Sequence, residues 1–278
     1  MSSIEFHLFW SLIMTIDIFG YLGAVAIGLV LGLIGGGGSI LTVPIFVYVF
    51  GIDPILSTAY SLFVVGFTAL VGTIRNIQKD IIDYKTGFIF AIPAFISVFL
   101  TRMYIIPLLP DIIYQSGNLI ISKELAIMIF FSGIMILSAI FMIKNRRKSE
   151  NDLKKVVYNF PMIALEGIVV GFLTGIVGAG GGFLIIPALV LFAKLPMKKA
   201  VATSLMIIAF KSLIGFIGDV QNFEIDWTFL ITFTSISIVG IFVGIYLNNF
   251  IDGKKLKKGF GWFVLFMGVY ILIKEIFA

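Results

Sequence analysis

The chain has 278 residues, 60% of them hydrophobic and 13% charged, with a mean hydropathy of +1.12 and a net charge of +5. Soluble domains carry about 25% charged residues, so the length is mostly bilayer span rather than one or two soluble domains. There is no Cys and one His, His7, which excludes disulfides and thiolate chemistry, and the small positive charge sits in short loops, a mark of membrane topology rather than of a nucleic-acid surface.

In chain order, the apolar segments are 4–20, 21–34, 40–50, 55–74, 86–108, 122–143, 160–177, 183–193, 199–217, 227–250 and 256–276. The first lacks a basic leader and a small-residue cleavage site, so it is read as retained protein: an extra span or an interfacial helix. Several of the others have the roughly 20 residues that cross ~30 Å of hydrocarbon. Segments 21–34, 40–50 and 183–193 are too short: at 1.5 Å per residue they reach about 21, 16 and 16 Å. These short segments flank two glycine runs, GLVLGLIGGGGSILTVP at 28–44 and GFLTGIVGAGGGFLIIP at 171–187. A single helix through four glycines would lose about 1 kcal/mol at each relative to Ala. Two half-helices meeting inside the membrane fit better.

The two runs are one sentence written twice, 143 residues apart, and about a third of positions 28–84 match at that offset without a gap. Among the matches are Ser61 with Ser204, Gln78 with Gln221 and Asp83 with Asp226. The final helices realign, Gly133 on Gly268, after an eight-residue insertion in the first half. The halves therefore run over 21–143 and 160–278, after an N-terminal segment 1–20 and joined by the polar linker 144–159.

Charge sets the orientation. The linker carries six Lys and Arg residues and is assigned to the cytoplasm. If 160–193 dips in and returns, Lys194, Lys198 and Lys199 stay inside, the acidic loop 219–226 lies outside, Lys254–Lys258 return inside and the C-terminus ends outside. The fold class expected is thus an all-α polytopic membrane protein. Its two repeats are inverted, each a glycine-tipped re-entrant hairpin plus three transmembrane helices. Such interrupted segments in corresponding places of two halves mark the binding site of a transporter.

Each hairpin tip feeds a helix whose first N–H groups lack intrahelical partners and carry the positive end of the helix dipole. Gly35, Gly36, Gly37, Gly38 and Ser39 form the first tip; Gly178, Ala179, Gly180, Gly181 and Gly182 form the second. Two such tips make a cradle for an anion. Gly28, Gly32, Gly171 and Gly175 are read instead as helix-packing residues, which also leave room for a homodimer. Ser61 and Ser204, on the helix after each hairpin, either turn hydroxyls toward the tips or back-bond to their own helices. Lys211 lies deep in 199–217, against Thr68 in the first half. It is either the counter-charge for an anion or a lysine snorkelling to the outer interface. Arg102 is read as snorkelling, Asn76 and Asp219 as loop hydrogen-bonders, Asp83 and Asp226 as helix N-caps, and Glu166 as a solvated carboxylate near the inner face.

The pairs GLIGGGGSILTVP and GIVGAGGGFLIIP, each followed by an A-x-S-L helix and an I-D-aromatic start, resemble the TauE/SafE sulfite exporter family, also described as the toluene-sulfonate uptake permease group. The resemblance implies transport of a small sulfur-containing anion: sulfite, sulfoacetate or another organosulfonate, or thiosulfate. Ser39 against Gly182 departs from the symmetry of the motif. No catalytic or nucleotide-binding motif is present, so the chain is read as no enzyme, needing no cofactor or metal. It is taken for a secondary exporter of the plasma (inner) membrane, working by alternating access and open to proton coupling. An anion channel and a non-transporting scaffold are the rival readings; the scaffold predicts tips packed shut.

Overall fold

The structure, a computed structural model, describes residues 3–36, 38–116, 119–144, 160–178, 181–191 and 193–277. Eleven helices are described: α1 Ser3–Ile34, α2 Gly38–Tyr48, α3 Pro54–Ile77, α4 Tyr84–Leu100, α5 Ile106–Leu108, α6 Lys123–Lys144, α7 Phe160–Val177, α8 Gly182–Leu191, α9 Met197–Val220, α10 Trp227–Asn248 and α11 Gly253–Phe277. Thr101–Ile105 forms a π-helical segment that joins α4 to α5. Six apolar stretches are long enough to cross a membrane: Pro54–Ile77, Tyr84–Leu108, Lys123–Lys144, Phe160–Val177, Met197–Val220 and Trp227–Asn248. The chain is a multi-pass membrane protein.

The duplication is visible in the element boundaries. Adding 143 to α3 gives the limits of α9, and Tyr84, which opens α4, falls on Trp227, which opens α10. Both expected N-caps are present. The Asp83 carboxylate accepts from Thr86 N at 2.9 Å, and the Asp226 carboxylate accepts from Phe229 N at 3.0 Å. The backbone amides of these two aspartates donate to hydroxyls of the opposite half: Asp83 N to Thr203 Oγ1, Asp226 N to Tyr60 Oη. Thr203 and Tyr60 are themselves repeat mates.

The packing follows the same exchange. α1 lies along α10, and its repeat mate α7 lies along α4. Glycines set both contacts. A Cβ on Gly28 would overlap the Ser237 carbonyl, and one on Gly171 would overlap the Ala94 carbonyl; Ser237 and Ala94 are again 143 apart. α3 and α9 pack against each other and run antiparallel, with Gly66 against Leu213, Gly72 against Leu205 and Gly215 against Leu62. They are the most enclosed spans, 72% and 78% buried, against 39–47% for the other four. α6 and α11 are likewise antiparallel, Met142 facing Gly261 and Met135 facing Gly268.

Two expectations are corrected. Residues 4–20 and 21–34 are one helix, α1, with no break at residue 20; at 1.5 Å per residue it is about 48 Å long. No Pro or glycine pair interrupts the run, so nothing stops the helix before Gly35. The all-α class also fails locally. Ile112–Ser116 (β1) and Leu119–Ser122 (β2) pair as an antiparallel hairpin, in the stretch where the first half carries its eight extra residues. β-branched Ile residues and Tyr114 suit strand geometry there.

The glycine contacts give a stability test. Gly28→Leu must push α1 off α10 and is expected to destabilise by about 3 kcal/mol. Gly133→Ala meets no atom within 4 Å and removes the helix penalty of glycine, so it should stabilise by up to about 1 kcal/mol. Thermal unfolding in detergent would show Tm moving in opposite directions for the two variants.

Candidate functional site: the glycine tips and their buried cations

Gly35 follows the end of α1 and Gly178 the end of α7, at equivalent points. Both have left-handed backbone, φ +77° and +69°, which non-glycine residues rarely adopt. The Gly35 and Gly178 amides still donate to Leu31 O and Thr174 O, at 2.7 and 2.8 Å. After each turn comes a short helix, α2 of 11 residues and α8 of 10, about 16 and 15 Å long. Gly37, Ala179 and Gly180 lie outside the described residues, as does the side chain of Ser39; Gly38 opens α2.

The tips are seated on the central helices of the opposite half. Gly35 lies on Val201 and Ser204 of α9; Gly178 lies on Thr58 of α3, the repeat mate of Val201. Ser204 Oγ lies 2.7 Å from Gly35 O and 2.8 Å from Val201 O, so its hydroxyl serves the first tip. Ser61 is fully buried, and its Oγ has no hydrogen-bond partner among the described residues. Gly36 and Gly182 touch through their backbones, close enough that a Cβ on either would collide with the other. In this conformation nothing fits between those two residues.

Lys211 is 0% exposed and therefore does not snorkel. Its Nζ donates to Thr174 Oγ1 at 2.6 Å and would sit 2.8 Å from a Cβ on Gly181. The cation thus reaches the second tip from α9. Among the described residues no carboxylate lies within ion-pair distance of it. A buried, unpaired ammonium is costly; an anionic partner would remove that cost. The repeat mates of Lys211 and Thr174 are Thr68 and Leu31, so the first tip has no such cation.

Arg102 does not snorkel either. It is 1% exposed, and its Nε lies 3.0 Å from Oδ2 of Asp219, itself 1% exposed. Its Nη2 donates to Thr58 Oγ1 at 2.7 Å, and Thr58 is the residue on which Gly178 rests. The π-helical segment turns Arg102 inward: Ile106 N bonds back to Thr101 O, and Pro107 lacks the amide that would continue the ordinary pattern. Such segments recur at functional sites. Sequence reasoning missed this pair. Its signal was a double break in the repeat, since Arg102 falls on Ile245 and Asp219 on Asn76.

Glu166 stands apart from the tips. It lines an apolar cleft of about 440 Å³ between α6, α7 and α8, with Leu137, Leu165, Val169 and Leu173 around it. Glu166 is half-buried, and its Oε1 is enclosed without a partner among the described residues.

A profile of the family described as "Sulfite exporter TauE/SafE" matches residues 20–271. A "Probable membrane transporter protein" of Xylella fastidiosa (strain 9a5c) is 28% identical over 251 residues, 88% of this chain and 91% of the relative. "Probable membrane transporter protein YunE" of Bacillus subtilis (strain 168) is 26% identical over 285 residues, 91% and 98% of the two chains. "Probable membrane transporter protein MJ0441" of Methanocaldococcus jannaschii is 36% identical over 117 residues, 40% and 44% of the two chains. No solved structure matches this chain. With the duplicated glycine turns, the exchanged helix contacts and a match from residue 20 to residue 271, the chain belongs to the TauE/SafE family of membrane transporters.

Proposed function

We propose that the chain is a secondary exporter of a small sulfur-containing anion, such as sulfite, sulfoacetate or another organosulfonate, or thiosulfate. The observation that carries this reading is Lys211: a fully enclosed amino group with no carboxylate partner among the described residues, at the second glycine tip. An oxyanion there would accept from the ammonium and from tip amides, a charge-assisted arrangement. Gly35, Gly36, Gly37, Gly38, Ser39 and Ser204 from the first tip, and Gly178, Ala179, Gly180, Gly181, Gly182 and Ser61 from the second, complete the proposed lining.

The halves 21–143 and 160–278 are read as inverted repeats. The antiparallel run of the mates α3 and α9, and of α6 and α11, supports this. The short α2 and α8 support re-entrant hairpins, since neither is long enough to span alone. On this reading the linker is cytoplasmic, the C-terminus is outside, and the protein sits in the inner membrane. The Gly36–Gly182 contact is that of a closed conformation, and rocking one half against the other would part the tips and admit the anion. Proton coupling stays open on this reading, with Glu166, apart from the tips, as its candidate carboxylate. The same contact also suits a scaffold with tips packed shut, and transport decides between them.

The test is counterflow of labelled sulfite, thiosulfate and sulfoacetate in proteoliposomes, with and without a pH gradient. Saturable counterflow of at least one is expected. Ion conductance without counterflow would make the chain a channel, and no movement of any anion would favour the scaffold.

A further inference from the structure

A polar cavity lies beyond the tips. It has a volume of about 250 Å³ and is lined by Arg102, Asp219, Lys123 and Asn222, with Ile106 and Phe223 among its apolar walls. Arg102, Lys123 and Asp219 are all buried, at 1%, 8% and 1% exposure. Two cations therefore face one carboxylate, and the formal charge of the cavity is positive. The guanidinium is not saturated: its Nη1 has no hydrogen-bond partner among the described residues, and its Nε approaches Asp219 without good hydrogen-bond geometry. Its remaining nitrogen holds Thr58, which supports Gly178. The cavity sits where α5, the start of α6 and the end of α9 meet, beside the acidic loop 219–226. One residue, Thr58, separates its guanidinium from the second tip.

We propose that this cavity is a second subsite for a small oxyanion, in which the Asp219 carboxylate occupies the place of the ligand on Arg102. It rests on the anion-transport reading only for its role as a staging point between the loop face and the tips; its binding chemistry stands alone. A guanidinium with unused N–H groups donates to the oxygens of a sulfonate or sulfite head in charge-assisted hydrogen bonds. Lys123 supplies a second cation on the same wall. An arriving anion displaces Asp219 from Arg102, and the carboxylate swings toward Lys123 and Asn222. No equivalent exists at the repeat-related place, where Ile245 and Asn76 stand for Arg102 and Asp219, so the subsite serves one side alone.

The test is equilibrium binding of sulfite and methanesulfonate to the purified full chain in neutral detergent. Asp219→Asn removes the internal competitor, and its affinity should rise about tenfold, with sulfite raising its Tm more than that of wild type. Arg102→Gln/Asp219→Asn should lose that gain. Unchanged or weaker binding in Asp219→Asn, or a gain that survives without Arg102, would overturn the proposal. Should Asp219→Asn not fold, Asn222→Asp puts a further carboxylate on the cavity wall and must weaken binding about tenfold at the same site; no weakening would equally overturn it. An anionic lipid head offers the same chemistry, so the measurement is repeated in phosphatidylcholine nanodiscs with and without phosphatidylglycerol; loss of the Asp219→Asn gain to phosphatidylglycerol would assign the cavity to lipid and overturn the proposal. A gain that persists in a Lys211→Met background keeps this subsite even where the tip site fails, and its absence beside Lys211-dependent binding keeps the tip site alone.

Discussion

Lys211→Met is expected to reduce anion binding at the second tip, and transport, by about 100-fold or more while leaving the protein at least as stable as wild type. The two halves of that result come from one cause. Lys211 is wholly enclosed, and among the described residues its only polar contact is Thr174 Oγ1. Enclosing an ammonium without a counter-ion costs several kcal/mol, and Met keeps the stem and its packing while removing the charge. A lysine kept for structure would behave the other way, and its loss would lower Tm. The functional loss follows from removing a charge-assisted hydrogen bond in a low-dielectric place, worth about 1.5–3 kcal/mol for the bond and more for the charge. Lys211→Arg keeps the charge but brings a planar fork where a compact ammonium fits beside Gly181 and Thr174. It should retain partial binding with a changed preference among sulfite, thiosulfate and sulfonates. Measuring Tm and saturable binding on the same preparations separates the two halves.

Arg102→Ala is expected to be the most destabilising single substitution in the bundle, by about 3–5 kcal/mol. The side chain is among the largest fully buried ones. Its removal leaves Asp219 enclosed without its cation, leaves Thr58 without its donor and opens a cavity beside Gly178. Replacing both partners by apolar residues of similar size, Arg102→Met with Asp219→Leu, removes the charge problem at its source and should cost far less, about 1 kcal/mol or none. A double-mutant cycle on Tm reads the difference as coupling. Near-additive behaviour would mean that the two charges are each solvated by something other than the partner. The same double variant should lose anion binding in the Arg102 cavity, so its recovered stability cannot be mistaken for recovered function.

How far the sequence could carry this depends on which contacts obey the repeat. The 143-residue offset placed α3 and α9 to within three residues at each end, and with them the turns at Gly35 and Gly178, the short α2 and α8, and the caps at Asp83 and Asp226, because all of these are local and written twice. Gly28 and Gly171 were legible as packing glycines for the same reason, although their partners, Ser237 and Ala94, are far away in the chain. The continuity of α1 was not legible. Apolarity alone does not say where one helix ends, and segment 4–20 has no repeat mate to mark its limit. The hairpin of β1 and β2 was hidden because it falls in the unmatched insertion.

The charged groups were the hardest, and for a physical reason. A lone Lys or Arg in an apolar segment has two stable solutions, reaching the interface or finding a buried partner, and the choice depends on contacts across the fold. Lys211 meets Thr174, and Arg102 meets Asp219 and Thr58. Each of these residues departs from its repeat mate: Thr68, Leu31, Ile245, Asn76 and Val201 stand in the matching places. The asymmetric polar residues therefore gather on one tip, the second.

The most direct measurement is saturable binding of labelled sulfite, thiosulfate and sulfoacetate to purified wild type and Lys211→Met, with Tm as the control for folding. Binding of at least one of these anions to wild type, and loss from a folded Lys211→Met of all binding except that which depends on Arg102, is the predicted result. Equal binding to both proteins would contradict the assignment of the anion to the second glycine tip.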